Sequence, residues 1–265
     1  MRDSFDRDIT YLRISVTDKC NLRCQYCMPP EGVPPRRHED LLSLEQMAEV
    51  ARVAVGLGVT KVRLTGGEPL VKRGILGLVG MIASIEGLEH LAMTTNGTLL
   101  APIARRLRET GLDSINLSLD TLDPERYRVL TRGGTLDDAL AGLAAALEAG
   151  FPVKINMVVL ADTSDGEVER MRAFASENGA RLQLINHFEL GEPKRDEFAF
   201  DRPPPCEKCN RIRLTADGML KPCLLSDEEV RLDFSRLEES LREAILGKPR
   251  RGGACTARAM PQIGG

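Results

Sequence analysis

The chain lacks any apolar run near the length of a membrane span, and its amino terminus, MRDSFDRDITYLRI, is charged where a secretory leader needs an apolar stretch. Neither sign of charge dominates. Lys and Arg number 36 against 39 Asp and Glu, a formal net charge of −3, which argues against nucleic acid or a membrane surface as a partner. There is no internal repeat and no low-complexity tract. Cysteine is sparse and odd in number, seven in 265 residues, which speaks against a disulfide framework. The expected location is the cytoplasm, where reducing conditions argue the same way. With 42% hydrophobic residues the chain is long enough for one large core or two modest ones.

The few cysteines are not scattered. CNLRCQYC places Cys20, Cys24 and Cys27 in a C-x3-C-x2-C array, and Cys206, Cys209 and Cys223 form a second group, C-x2-C-x13-C. Such clustering reads first as metal ligation or redox chemistry. Structural zinc wants four closed ligands. The first array has three thiols, and no histidine lies closer than His38. Three thiolates on one short loop suit a cubane iron–sulfur cluster, which takes one cysteine per iron and would here leave one iron open to a small molecule. Spacing alone leaves zinc and cluster both standing.

Apolar, β-branched runs at 11–17, 61–65, 90–95, 114–119, 153–159 and 181–186 alternate with stretches of helical spacing at 43–58, 101–111, 136–150 and 166–179. Six strands interleaved with helices predict an α/β fold with a parallel sheet, most economically a closed or partly closed barrel, with chemistry at the carboxyl ends of the strands. The first cysteine array follows the first strand and GGEP (66–69) follows the second. After residue 187 the rhythm stops, and ELGEPKRDEFAFDRPPP reads as a linker or irregular cap. The chain closes with MPQIGG, whose glycines are by default a disordered end.

CNLRCQYC, with Tyr26 just before its last cysteine, resembles the cluster loop of radical S-adenosylmethionine (SAM) enzymes, and GGEP resembles the turn that holds the methionyl amine of the cofactor in that family. The resemblance implies a [4Fe-4S] cluster whose open iron chelates SAM, and reductive cleavage of SAM to a 5′-deoxyadenosyl radical. YLRISVTDKCNLRCQYCMP, KVRLTGGEPL, MTTNG, INLSLD, CNRIRLTADG and the terminal GG extend the likeness over nearly the whole chain to the GTP 3′,8-cyclase family of molybdenum cofactor biosynthesis. That family implies a partial (β/α)6 barrel of the radical SAM type over 1–187. It also implies a carboxyl-terminal extension over 188–265 that carries a second [4Fe-4S] cluster. Carried over residue by residue, Cys20, Cys24 and Cys27 hold the first cluster and Cys206, Cys209 and Cys223 the second. Tyr26, Gly66, Gly67, Glu68, Ser118 and Phe188 face the cofactor. Arg13, Arg63, Thr94, Lys154, Arg211 and Arg213 face a nucleotide triphosphate, while Arg13, Gly264 and Gly265 assist catalysis. A triphosphate needs guanidinium and ammonium groups converging on one rim, so Arg13 and Arg63 are expected to point inward. The RIR alternation at 211–213 also fits a plain exposed strand face. Expected partners are GTP or a related nucleotide, a reductant for the cluster and a second copy of the chain as a homodimer, with no nucleic acid and no membrane.

The sixth strand departs from the family. Where the family reads RFIELMP, this chain has QLINHFE (183–189): Gln183 stands for an arginine that touches the triphosphate, Asn186 for a glutamate and Phe188 for a methionine near the cofactor. Loss of one charged donor weakens phosphate binding by about 1.5–3 kcal/mol if nothing replaces it. The connector before Cys206 is also shorter than the family's. His187 reads as a hydrogen-bonded structural group and Cys255 as an ordinary thiol. Two other readings stand beside the leading one. The first is a two-cluster radical enzyme acting on another nucleotide or small anion. The second is a zinc-stabilised binding protein without catalysis.

Overall fold

A computed structural model describes residues 1–265 apart from Pro35, Lys194, 196–198, Asp201, Arg202 and Gly265. Five β/α units and a sixth strand come first. In chain order they are β1 (Tyr11–Ser15), α1 (Leu44–Gly56), β2 (Lys61–Thr65), α2 (Ile75–Ala83), β3 (His90–Thr95), α3 (Ala104–Glu109), β4 (Ser114–Ser118), α4 (Pro124–Thr131), α5 (Leu136–Glu148), β5 (Val153–Val159), α6 (Asp165–Glu177) and β6 (Arg181–Asn186). Then come β7 (Arg211–Leu214), β8 (Met219–Lys221), β9 (Val230–Arg231), α7 (Leu237–Leu246) and the short α8 (Met260–Ile263).

Local chemistry accounts for the helix starts. Ser43 and Gln46 form a reciprocal capping box on α1, Ser164 and Glu167 form one on α6, and Asp123 accepts from the Arg126 N–H ahead of Pro124 on α4. Met47, Val50, Ala51 and Ala54 form the buried stripe of α1. Helix α2, ILGLVGMIA, has no polar face, and Ile75, Leu78, Val79 and Ile82 form its buried stripe.

The strand order is β6-β5-β4-β3-β2-β1-β7-β8-β9. The first six strands pair in parallel with their sequence neighbours, each joined to the next by a helical crossover. The sheet has two ends, β6 and β9, and is therefore open. The connector has no helix or strand among its described residues, but β7 returns to pair in parallel with β1, and β8 and β9 continue the same sheet antiparallel. Asn210 guides this return: its backbone carbonyl accepts from Tyr11 N–H at 3.1 Å and its side chain donates to Thr10 Oγ1 at 2.9 Å.

Side chains alternate along a strand, so register sorts the two faces. Leu12, Ile14, Val62, Leu64, Ile212 and Leu214 point to the helices and join the core, all at most 1% exposed. The alternate positions face the other way and are polar. Arg13 lies opposite Arg63 on one side and Arg213 on the other. The RIR stretch is thus not an exposed face, since Ile212 and Arg213 are both buried. No helix among the described residues is long and apolar enough to cross a membrane.

Candidate active site

The loop that leaves β1 carries the first three cysteines, and backbone contacts hold it. Cys27 N–H and Met28 N–H both donate to Cys24 O, at 3.0 and 3.1 Å, which folds the C-x2-C segment into a turn. Arg23 N–H and Gln25 N–H donate to Thr131 O and Leu130 O, so the loop rests on the carboxyl end of α4. Just beyond that end, Arg132 reaches back to Arg23 O and Met28 O.

The second strand ends against this loop. Gly67 N–H donates to Thr17 O at 2.8 Å and Glu68 N–H to Lys19 O at 2.9 Å. A Cβ on Gly66 would stand 2.4 Å from Thr17 O, and one on Gly67 2.4 Å from Lys19 O, so only glycine lets the turn lie this close. The Glu68 carboxylate is committed to three donors: Thr95 Oγ1 at 2.7 Å, Asn96 N–H at 2.7 Å and Leu70 N–H at 3.0 Å. It ties the ends of β2 and β3 together.

These elements enclose one cavity of about 200 Å³. Cys20, Cys24 and Cys27 share its wall with Tyr26, Gly66, Gly67, Glu68, Ser118 and Phe188, so every residue expected to face the cofactor lies here. Thr94, expected to meet substrate, lines it as well. Sequence reasoning missed other members of the wall. Tyr26 OH donates to Asp120 Oδ2 at 2.6 Å, and Asp120 Oδ1 accepts from Val158 N–H at 2.8 Å. Asn96 Nδ2 approaches Cys20 Sγ at 3.9 Å. Met260, from the carboxyl-terminal segment, lines the same cavity as Phe188. A polar residue immediately after a strand was the available signal for Asp120 and Asn96. His187 meets the Tyr26 ring edge-on, with centroids 6.4 Å apart.

The donor set fits a cluster. Burial pushes all three thiols up, Cys27 to about 12, with Asp120 and neighbouring sulfurs adding to the effect at Cys24 and Cys27. The thiolates that metal binding requires are therefore costly until a cation arrives. A cubane takes one thiolate per iron. Among the described residues, no three His, Cys, Asp or Glu side chains converge as a single-ion site would need.

Cys206, Cys209 and Cys223 line a second, smaller cavity, together with Arg211, Arg213 and Lys248. Buried Lys248 donates to Arg211 O at 2.8 Å and Pro222 O at 2.7 Å. Burial would raise the Cys209 thiol, but Lys248, the Arg211 N–H and the Arg211 charge outweigh it and the net shift is downward. Arg7, which the sequence reading passed over, secures this region by donating to Cys206 O at 2.9 Å and Pro249 O at 2.7 Å.

Between the cavities runs the polar face of the sheet. Tyr11 stands in register between Lys61 and Arg211, whose charges lie 5.4 and 5.6 Å from its ring centroid. Arg63 donates to Tyr11 OH, to Met93 O and to Thr94 Oγ1. Thr94 lies opposite Asn116, and Asn116 opposite Lys154. All six residues expected to meet a nucleotide therefore share one face, and no inward position on β1, β2 or β7 is acidic. The electrostatics record the crowding. Burial and then Arg213 push Arg13 well below the ordinary arginine value, burial and Arg211 bring Arg213 to about 10, and Arg63 with Arg13 draws Tyr11 to about 8 against its burial.

The chain end lies on this face. Arg213 Nη1 donates to Ile263 O at 3.1 Å and also to Gly264 O. Gly264 has φ +65°, and a Cβ there would stand 2.1 Å from Thr65 Oγ1. The terminal glycine segment is thus seated among β1 and β2 rather than loose, up to Gly264; Gly265 is outside the described residues. On the sixth strand, Gln183 lies opposite Asn156, and Asn186 is tied to Phe200, donating to its carbonyl at 2.8 Å and accepting from its N–H at 3.2 Å.

Residues 14–175 match the Radical SAM superfamily. The GTP 3′,8-cyclase of Alkaliphilus oremlandii is 37% identical over 320 aligned positions, covering 100% of this chain and 100% of that protein. The GTP 3′,8-cyclase of Peptoclostridium acidaminophilum is 40% identical over 317 positions, covering 99% and 98%. Both alignments exceed the 265 residues of this chain, so those relatives carry segments that it lacks. The crystal structure of Streptococcus suis SuiB bound to S-adenosylmethionine superposes with a TM-score of 0.65 at 20% identity, over 89% of this chain and 68% of that one, a likeness of fold. Matched from end to end at this identity, the chain belongs to the GTP 3′,8-cyclase family of the radical SAM superfamily.

Proposed function

We propose that this protein converts GTP to its 3′,8-cyclised product, (8S)-3′,8-cyclo-7,8-dihydroguanosine 5′-triphosphate, in molybdenum cofactor biosynthesis, with a cluster at each three-cysteine site. The observation that carries the reading is the row Arg213–Arg13–Arg63, which runs across one sheet face between the two cysteine cavities. A polyanion laid along that row relieves the mutual repulsion of the guanidiniums.

Cys20, Cys24 and Cys27 would hold the first cluster, with SAM against Tyr26, Gly66, Gly67, Ser118 and Phe188 and with Glu68 bracing the turn from beneath. When bound, that cluster and SAM supply a radical that abstracts hydrogen from the ribose. Cys206, Cys209 and Cys223 would hold the second cluster at the far end of the row, within residues 188–265, the extension that follows the radical SAM unit of 1–187. Arg13, Arg63, Thr94, Lys154, Arg211 and Arg213 would fix the triphosphate and thereby the distance of the ribose from the first cavity. Gly264, and Gly265 beyond it, would approach the reacting nucleotide by backbone alone. A reductant, a cytoplasmic location and a homodimer belong to the same proposal.

A second reading, the same chemistry on a related nucleotide, is favoured by Asn186, whose amide is spent on Phe200 rather than on substrate. Anaerobic incubation with reductant, SAM and GTP separates the two by product mass. Protein purified without oxygen should be brown with about eight irons per chain, against a colourless zinc protein on the non-catalytic reading. Formation of 5′-deoxyadenosine with GTP left intact would favour the second reading.

A further inference from the structure

The run from Thr256 to Gly264 crosses from the second cysteine region to the first cavity with only the four-residue α8 to shape it. Side chains of the β7–β9 hairpins hold its start. Asp227 accepts from Thr256 N–H at 2.8 Å, Thr256 Oγ1 at 2.8 Å and Ala257 N–H at 2.9 Å. Arg258 then grips two carboxylates at once. Its Nε and Nη2 donate to Glu229 at 2.8 and 2.6 Å, and its Nη1 donates to both oxygens of Asp217 at 3.0 and 2.9 Å. Its side chain is 8% exposed.

Both carboxylates are held in turn. Fully buried Lys221 reaches Glu229 at 3.1 Å, and Arg36, in the segment after the first cysteine loop, reaches Asp217 at 2.9 Å. Immediately beyond Arg258, Ala259 N–H is capped by Gln262 Oε1 at 2.9 Å, Met260 enters the first cavity, and Arg213 takes the carbonyls of Ile263 and Gly264. One arginine fixes the entry of the segment and another its tip. A planar guanidinium forked onto two carboxylates fixes direction as well as position. A buried ion network adds little net stability over an apolar replacement, so its value here is geometric.

We propose that Arg258 is a positioning residue: its clamp on Glu229 and Asp217 sets the depth at which Gly264 enters the cation-lined face. Loss of the clamp uncouples SAM cleavage from formation of the cyclised product. The proposal rests on the GTP reading, and two readouts keep their failures apart. Hydrogen exchange on the cluster-loaded protein needs no substrate. In Arg258→Met, the amides of Ala259, Met260, Gln262, Ile263 and Gly264 should exchange roughly tenfold faster or more, while those of β1 to β6 keep wild-type rates. In the anaerobic GTP assay the same variant should keep its iron and its SAM cleavage but make roughly tenfold less product per 5′-deoxyadenosine. Arg258→Lys should recover part of both effects. If Arg258→Met does not fold, Asp217→Asn and Glu229→Gln, which weaken one arm each, should raise exchange at the same five amides. Wild-type exchange and a wild-type product ratio in the folded variants overturn the clamp. A wild-type enzyme that leaves GTP intact overturns the substrate reading instead.

Discussion

Glu68 is 1% exposed, and burial pushes its carboxyl up to about 7 despite the donors Asn96, Thr95 and Leu70. Between the ordinary glutamate value and 7 the folded chain holds a proton that the unfolded chain has released, so stability falls as pH rises through that window. Asp120, raised by burial to about 6, acts in the same direction over the lower part. Acidifying the metal-free chain from about pH 7 to about pH 5 should therefore stabilise it, by on the order of 2–3 kcal/mol from Glu68. Urea midpoints against pH check this: Glu68→Gln should flatten the slope, and an unchanged slope refutes the assignment. Gly264 offers a second test at this scale. Alanine there meets Thr65 Oγ1 at 2.1 Å in a left-handed conformation, so Gly264→Ala should lose roughly tenfold or more of its cyclised product while iron content stays put.

At the scale of elements, the turn after β2 matters because it lies on the loop after β1. Gly67→Ala would place a methyl 2.4 Å from Lys19 O and 2.8 Å from Asp18 O, both backbone atoms that cannot swing aside. SAM should then bind more weakly by about 2 kcal/mol, roughly thirtyfold. Equilibrium dialysis of the cluster-loaded variant would show it, and wild-type affinity would contradict the role given to the turn. Six strands were legible in the sequence because each is a short run with alternating apolar residues bounded by turn residues, and the cysteines were legible because their spacing is rare. Helix α2 escaped through its uniform apolarity. The RIR alternation of β7 was visible but not its burial, because its partner β1 lies some two hundred residues earlier, a pairing no local pattern records. Asp120, Arg7, Met260 and Arg258 escaped for a related reason: each is a single side chain whose partner is distant in sequence.

Across the whole molecule, one sheet brings together the two cysteine groups that sequence separates. The first group leaves β1, the second flanks β7, and β1 pairs with β7, so the arginines of those two strands lie between the cavities by register alone. The carboxyl-terminal segment then crosses from the second region to the first, held at both ends. The claim that follows is that hydrogen leaves the ribose of a nucleotide fixed between the two sites. Transfer of isotope measures it. GTP deuterated at ribose carbon 3′ is incubated without oxygen with the cluster-loaded protein, SAM and reductant. The account predicts deuterium in the 5′-deoxyadenosine released, together with cyclised nucleotide. Unlabelled 5′-deoxyadenosine accompanied by undiminished GTP would contradict it.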